Sequence, residues 1–200
     1  MIELRPASSL GRTEFHGTHM VHHFCFGPYQ SANRLNWGQL RMLNHISLSG
    51  KGARDPYFLG NMDVLLLVES GEIMVQCDTS RIDLHAGDFG RFAMNYGGDF
   101  GVAHRGSLPA SLIEIWFATG HWDGLPQASR GRWVHPAKHA PQAHEEESLL
   151  QFRDGAGVRL VDLEQGASLT HDLATSHGYL CLLAGELQLG DALLQPNDAV

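Results

Sequence analysis

Apolar positions along this chain come in short runs, separated by Gly, Asp and Pro. The most continuous run is Val64-Leu65-Leu66-Leu67-Val68, closed by Ser70-Gly71-Glu72. A run of this length bounded by turn residues reads as a buried strand, although periodicity by itself also allows a short buried helix. Val68 and Ile73 on either side of Ser70-Gly71 favour two strands and a tight connection. The same reading predicts strands at Ile73–Cys77, Arg81–Leu84, Gly90–Ala93, Gly101–His104 and Leu112–Phe117. Upstream, Val21–Gly27 is one strand, stopped by Gly27-Pro28. Gln39–Leu48 alternates at Leu40, Met42, Ile46 and Leu48, with a break expected at Asn44. Many short strands with turns between them indicate an all-β sandwich or barrel.

The pattern lapses over residues 118–147, where Gly, Pro, His, Trp and Arg dominate. Ala143–Leu150 could form one helical turn. This stretch reads as a connector that packs on the first domain through Trp122 and Trp133. Strand-like segments return at Val158–Leu163, Gly178–Leu183, Leu187–Leu189 and Ala192–Leu194. Leu66–Val75 is echoed by Leu180–Leu189, with Gly71 matching Gly185 and Glu72 matching Glu186. Each copy is followed by a turn ending in Asp: Ala86-Gly87-Asp88 and Pro196-Asn197-Asp198. Two copies at so long a period indicate two related β domains, not a solenoid. After Asp198 only Ala199 and Val200 remain, so the second domain is expected to be incomplete, with a bare edge that a homodimer would cover.

Composition narrows the function. A net charge of −8 argues against a nucleic-acid footprint, which needs a basic patch. No apolar run approaches the length of a membrane span, and Met1–Pro6 has no signal-peptide core. Cys25, Cys77 and Cys181 are odd in number and far apart, so they form no disulfide framework. Cys25 and Cys181 lie in apolar runs and read as small core hydrophobes. The expectation is a cytoplasmic protein.

Five blocks, in order and spacing, carry a resemblance. They are Phe24-Cys25-Phe26-Gly27, Trp37–Asn44, Asn61–Ile73, Ala86-Gly87-Asp88 and Glu114-Ile115-Trp116-Phe117. Together they resemble the pirin family, over about residues 10–117 and more weakly over 157–200. The resemblance implies a bicupin: a jelly roll (double-stranded β-helix) over residues 1–120, a connector over 121–156 and an incomplete second cupin over 157–200. It also implies an iron site in the first cupin, built from a His-x-His pair and a His-x-Glu pair. Three imidazoles and a carboxylate suit a divalent first-row metal with positions open for oxygen or substrate.

Carried over position by position, the His-x-His pair falls on Tyr57 and Leu59, and the His-x-Glu pair on His104 and Gly106. His104 is the one ligand type that remains, so it stands as a remnant of the family's metal position. Asp63 matches a family acidic residue just past the ligand pair. The sequence therefore predicts no catalytic residues, no cofactor, and a small-molecule pocket near Tyr57, Asp63 and His104. The alternative is an iron- or other metal-dependent dioxygenase of quercetinase type. Elsewhere, His22 and His23 are adjacent on a strand and point to opposite faces. His16 and His19 lie in a Gly-rich loop. His135, His139 and His144 read as solvated, and Glu145–Glu147 as a solvated face. His171 and His177 are too far apart to form a His-x-His pair.

Overall fold

The computed structural model describes residues 3–50, 52–120, 124–133, 150–152, 155–170 and 177–200. Trp122, His135, His139, His144, Glu145–Glu147 and His171 lie outside them. So does the expected helical turn at Ala143–Leu150, apart from Leu150, which is in a strand.

Among the described residues the regular structure is β apart from one short 3-10 turn, Ala7–Ser9. The first strands are β1 (Gly11–Phe15), β2 (Thr18–His22), β3 (Leu40–Leu48), β4 (Ala53–Leu59) and β5 (Met62–Ser70). Next come β6 (Glu72–Cys77), β7 (Ser80–His85), β8 (Asp88–Ala93), β9 (Gly98–His104), β10 (Ala110–Ala118) and β11 (Gln127–Arg132). The remainder are β12 (Leu150–Gln151), β13 (Gly157–Val158), β14 (Leu187–Leu189) and β15 (Ala192–Leu194). A seven-stranded sheet runs β1-β2-β3-β10-β5-β8-β11 and faces a four-stranded sheet ordered β4-β9-β6-β7. All neighbours in both sheets are antiparallel.

Strand β5 explains the apolar run. Val64, Leu66 and Val68 point between the sheets, against Ile73, Val75, Phe92, Phe100, Leu112 and Trp116. Leu65 and Leu67 point the other way, into a second core with Leu43, Ile113 and Ile115. That outer core is closed by Trp133, Phe152, Tyr179, Cys181 and Leu183. A strand buried on both faces needs apolar residues at every position, because successive side chains alternate sides. Burying each of these side chains contributes about 2 kcal/mol. The later part of the chain is thus the lid on the outer face of the large sheet.

The two copies of the repeat agree atom for atom at their turns. Gly71 and Gly185 take φ of 76° and 79°. The Gly87 amide donates to the Val68 carbonyl at 2.9 Å, and the Asn197 amide to the Leu182 carbonyl at 2.7 Å. Asp88 accepts from the His85 amide, and Asp198 from the Gln195 amide, both at 2.9 Å. The hairpin β6–β7 follows Gly71 as β14–β15 follows Gly185.

Several elements differ from the sequence expectation. There is no break at Asn44: β3 is continuous, and Asn44 pairs with Glu114 on one side and His22 on the other. Strand β4 carries Pro56 and an irregular register between Arg54 and Tyr57, which hid it from a periodicity reading. It lies at a sheet edge, where proline is tolerated. Strand β11 falls in the expected connector; it is almost wholly exposed and held by backbone pairing to β8. Of Val158–Leu163 only Val158 is in a strand, and Gly178–Leu183 contributes a single bridge, Cys181 to Ala199. The chain's last residues are flanked on both sides: Val200 exchanges hydrogen bonds with Leu180, and Ala199 with Arg5. The N-terminal segment thus pairs with residue 199, close to where a bare edge is expected.

Candidate functional site

The residues expected to line one pocket are spread over the jelly roll. Tyr57 points inward from β4 and stacks on Trp116, with ring centroids 6.2 Å apart. Its phenol oxygen is enclosed and has no hydrogen-bond partner among the described residues. Burial raises its pKa well above the usual tyrosine value, against the pull of nearby Arg54. A buried neutral phenol beside a fixed guanidinium is a poor metal ligand. Leu59 is core. His104 ends β9 with both ring nitrogens against carbonyl oxygens, Nδ1 at 2.7 Å from Gly50 and Nε2 at 2.6 Å from Leu108. Asp63 shares a face with Leu65 and Leu67, opposite to Val64, and so looks out of the jelly roll. It holds Arg91 at 3.4 Å, and that guanidinium lies 4.7 Å from the Phe152 ring centroid. The expected pocket of Tyr57, Asp63 and His104 is therefore not assembled, because strand alternation puts Asp63 on the other side of the sheet. The residues at the family's ligand positions do not fit a metal.

A polar network occupies the jelly-roll interior instead. Arg54 donates to both carboxylate oxygens of Glu114, at 2.7 and 2.5 Å. Burial alone would lower the Arg54 pKa, but the Glu114 carboxylate outweighs it and keeps the guanidinium charged. Alongside, the His22 ring bridges Asn44 Oδ1 at 3.0 Å through Nδ1 and Thr13 Oγ1 at 2.7 Å through Nε2. Burial lowers the His22 pKa, partly opposed by Asn44 and Glu114.

On the outer face, three ligand-type side chains meet. His23 follows β2 and points away from His22, as adjacent strand residues do. His45 comes from β3 and Cys181 from the closing segment. Their ligand atoms lie within 4.8 Å of one another. Cys181 Sγ is 3.6 Å from His45 Nε2 and 3.9 Å from His23 Nε2. The other nitrogen of His23, Nδ1, is 2.8 Å from the Tyr179 hydroxyl. Burial, helped by His45 and Arg5, holds His23 down to about 3. Burial likewise holds His45 down to about 4 and pushes the Cys181 thiol up to about 12. Both imidazoles are neutral and the thiol protonated at neutral pH. Among the described residues this is the His/Cys/carboxylate group with metal-ligand geometry. Sequence reading took Cys181 as core filler and passed over His45. Alternation along β3 puts His45 on the Leu43 side, but nothing local brings residue 181 above it.

Two facing antiparallel sheets of this order, with a repeated hairpin and Asp turn, form a jelly roll of the cupin type. No family model matches the chain. Over 99% of its length it is 24% identical to a pirin-like protein of Caulobacter vibrioides, covering 89% of that protein. A protein of Pseudomonas aeruginosa, provisionally named a quercetin 2,3-dioxygenase, is 25% identical over the whole chain and 90% of its own length. The bacterial pirin YhhW of Escherichia coli, solved in complex with nickel(II), superposes with a TM-score of 0.84 at 18% identity, over 100% of this chain and 88% of that one. The chain is therefore similar to pirin-like proteins along its whole length and shares the fold of a solved bacterial pirin.

Proposed function

We propose that this chain is a non-catalytic pirin-like protein with a regulatory or small-molecule-binding role, its N-terminal jelly roll serving as a scaffold. The fate of the four family ligand positions carries this reading. Tyr57 is a buried neutral phenol, Leu59 is core, the nitrogens of His104 face backbone carbonyls, and Gly106 has no side chain. Phe92, Phe100 and Trp116 fill the space between the sheets, and the Arg54–Glu114 pair adds a fixed cation there. Residues of these types offer no ligand set for a metal that would activate oxygen or polarise a flavonol. Three free thiols support a reducing, cytoplasmic setting.

The competing reading, a quercetinase-type dioxygenase, is favoured by the names of three relatives at 24–26% identity. Oxygen consumption with quercetin, after incubation with Fe(II) or Ni(II), separates the two. The expected result is no turnover above a protein-free metal control. Turnover that disappears in His104→Ala would establish the dioxygenase instead.

A further inference from the structure

The His23–His45–Cys181 group is separate from the family's ligand positions. It lies on the outer face of the large sheet, where the closing segment meets the jelly roll. Tetrahedral zinc, with about 2.0 Å to nitrogen and about 2.3 Å to sulfur, places nitrogen and sulfur about 3.5 Å apart. The two observed separations are 3.6 and 3.9 Å. In both imidazoles Nε2 is the atom turned toward Sγ. The Tyr179 hydroxyl at His23 Nδ1 orients that ring as an outer partner does in metal sites. Cys181 and His45 are half-buried, which leaves a side open for entry.

We propose that His23, His45 and Cys181 form a site for a divalent zinc-type transition metal that clamps the closing segment to the first jelly roll. Binding breaks the Cys181 S–H bond, forms a metal–sulfur bond and releases one proton to solvent. Two neutral imidazoles donate lone pairs, and solvent water takes the fourth position. The site carries a net charge of +1. Glu69 and Asp198 supply negative field at the sulfur, while Arg5 and Arg34 act against it at His23. Imidazole with one thiolate selects zinc or cobalt over magnesium or calcium. The clamp has structural logic. Residues 177–200 contain only the short hairpin β14–β15 and isolated bridges, so a metal bond between positions 45 and 181 supplies what a long sheet would otherwise provide.

Cobalt(II) is the probe, titrated into the full-length, metal-stripped protein under reducing conditions. The expected result is one equivalent bound, with a thiolate-to-cobalt charge-transfer band and intense tetrahedral visible bands, displaced by zinc. Cys181→Ser removes the charge-transfer band. His45→Gln weakens binding by more than the about 10- to 100-fold that an outer-shell partner is worth, and Tyr179→Phe falls within that range. His104→Ala leaves the titration unchanged, which separates this site from the family positions and from the scaffold reading. Circular dichroism of each metal-free variant confirms folding. Zinc also protects Cys181, and not Cys25, from alkylation in the unmodified protein, a readout that needs no variant. Absence of a charge-transfer band, a band that survives in folded Cys181→Ser, or alkylation of Cys181 unaffected by zinc would each overturn the proposal.

Discussion

Glu114 shows most directly how this jelly roll departs from an open cupin cavity. It is fully buried, inward-facing on β10, and neutralised by the bidentate Arg54 from the opposite sheet. The pair crosses the interior between β10 and β4. Desolvating two charges costs several kcal/mol, which their mutual attraction offsets only while both are present. Glu114→Ala leaves Arg54 buried and unpaired, and is expected to cost about 3–5 kcal/mol of stability. The double replacement Arg54→Met/Glu114→Leu is expected to recover most of that loss. Urea denaturation of the two proteins measures it. Equal losses in the single and double variants would show that the pair contributes more than mutual neutralisation.

The repeat is written in its elements, and its two glycines separate conformation from packing. Gly71 and Gly185 share a left-handed backbone, which L side chains rarely adopt. Their surroundings differ. A Cβ on Gly71 would sit 2.6 Å from the Ala110 Cα at the start of β10, whereas one on Gly185 meets nothing within 4 Å. Gly185→Ala is expected to cost about 1 kcal/mol from backbone strain alone, and Gly71→Ala at least about twice that. Chemical denaturation of the two variants compares them. Indistinguishable midpoints would mean that the first copy's turn yields as freely as the second's.

In the whole molecule, one sheet serves two cores. Its inner face closes the jelly roll, and its outer face is covered by Trp133, Phe152 and residues 179–183. The later part of the chain has little sheet of its own. Its two-stranded pairs β12–β13 and β14–β15 have no further strands beside them among the described residues. Val161, Leu169 and Leu193 are 42%, 44% and 53% exposed. Strand edges and apolar side chains together favour a two-fold partner. The proposed homodimer would bury about 800 Å² per protomer. Sedimentation equilibrium at micromolar concentration is expected to give a dimer mass. A monomer with one cooperative melt would show that the second half is sufficient alone.

The hydrophobic pattern by itself determined the all-β class, most strands of the first jelly roll and the internal repeat. It did so because strand burial, turn glycines and the Asp turns are local signals with fixed spacing. The aligned family positions also showed that Leu59 and Gly106 cannot supply the family's ligands and that Tyr57 is a poor substitute for one, since ligand chemistry is a property of residue type. Strands β4 and β11 were not legible, because edge strands are held by backbone hydrogen bonds and need no apolar alternation. Asn44 read as a break, because only its cross-strand neighbours His22 and Glu114 make a buried amide acceptable there. The outward turn of Asp63 depended on which face of β5 looks into the jelly roll, and an all-apolar run carries no record of that choice. The meeting of His23, His45 and Cys181 was decided by tertiary structure alone. The segment that carries Cys181 is remote in sequence, and it reaches the two histidines only because the outer face of the large sheet must be buried.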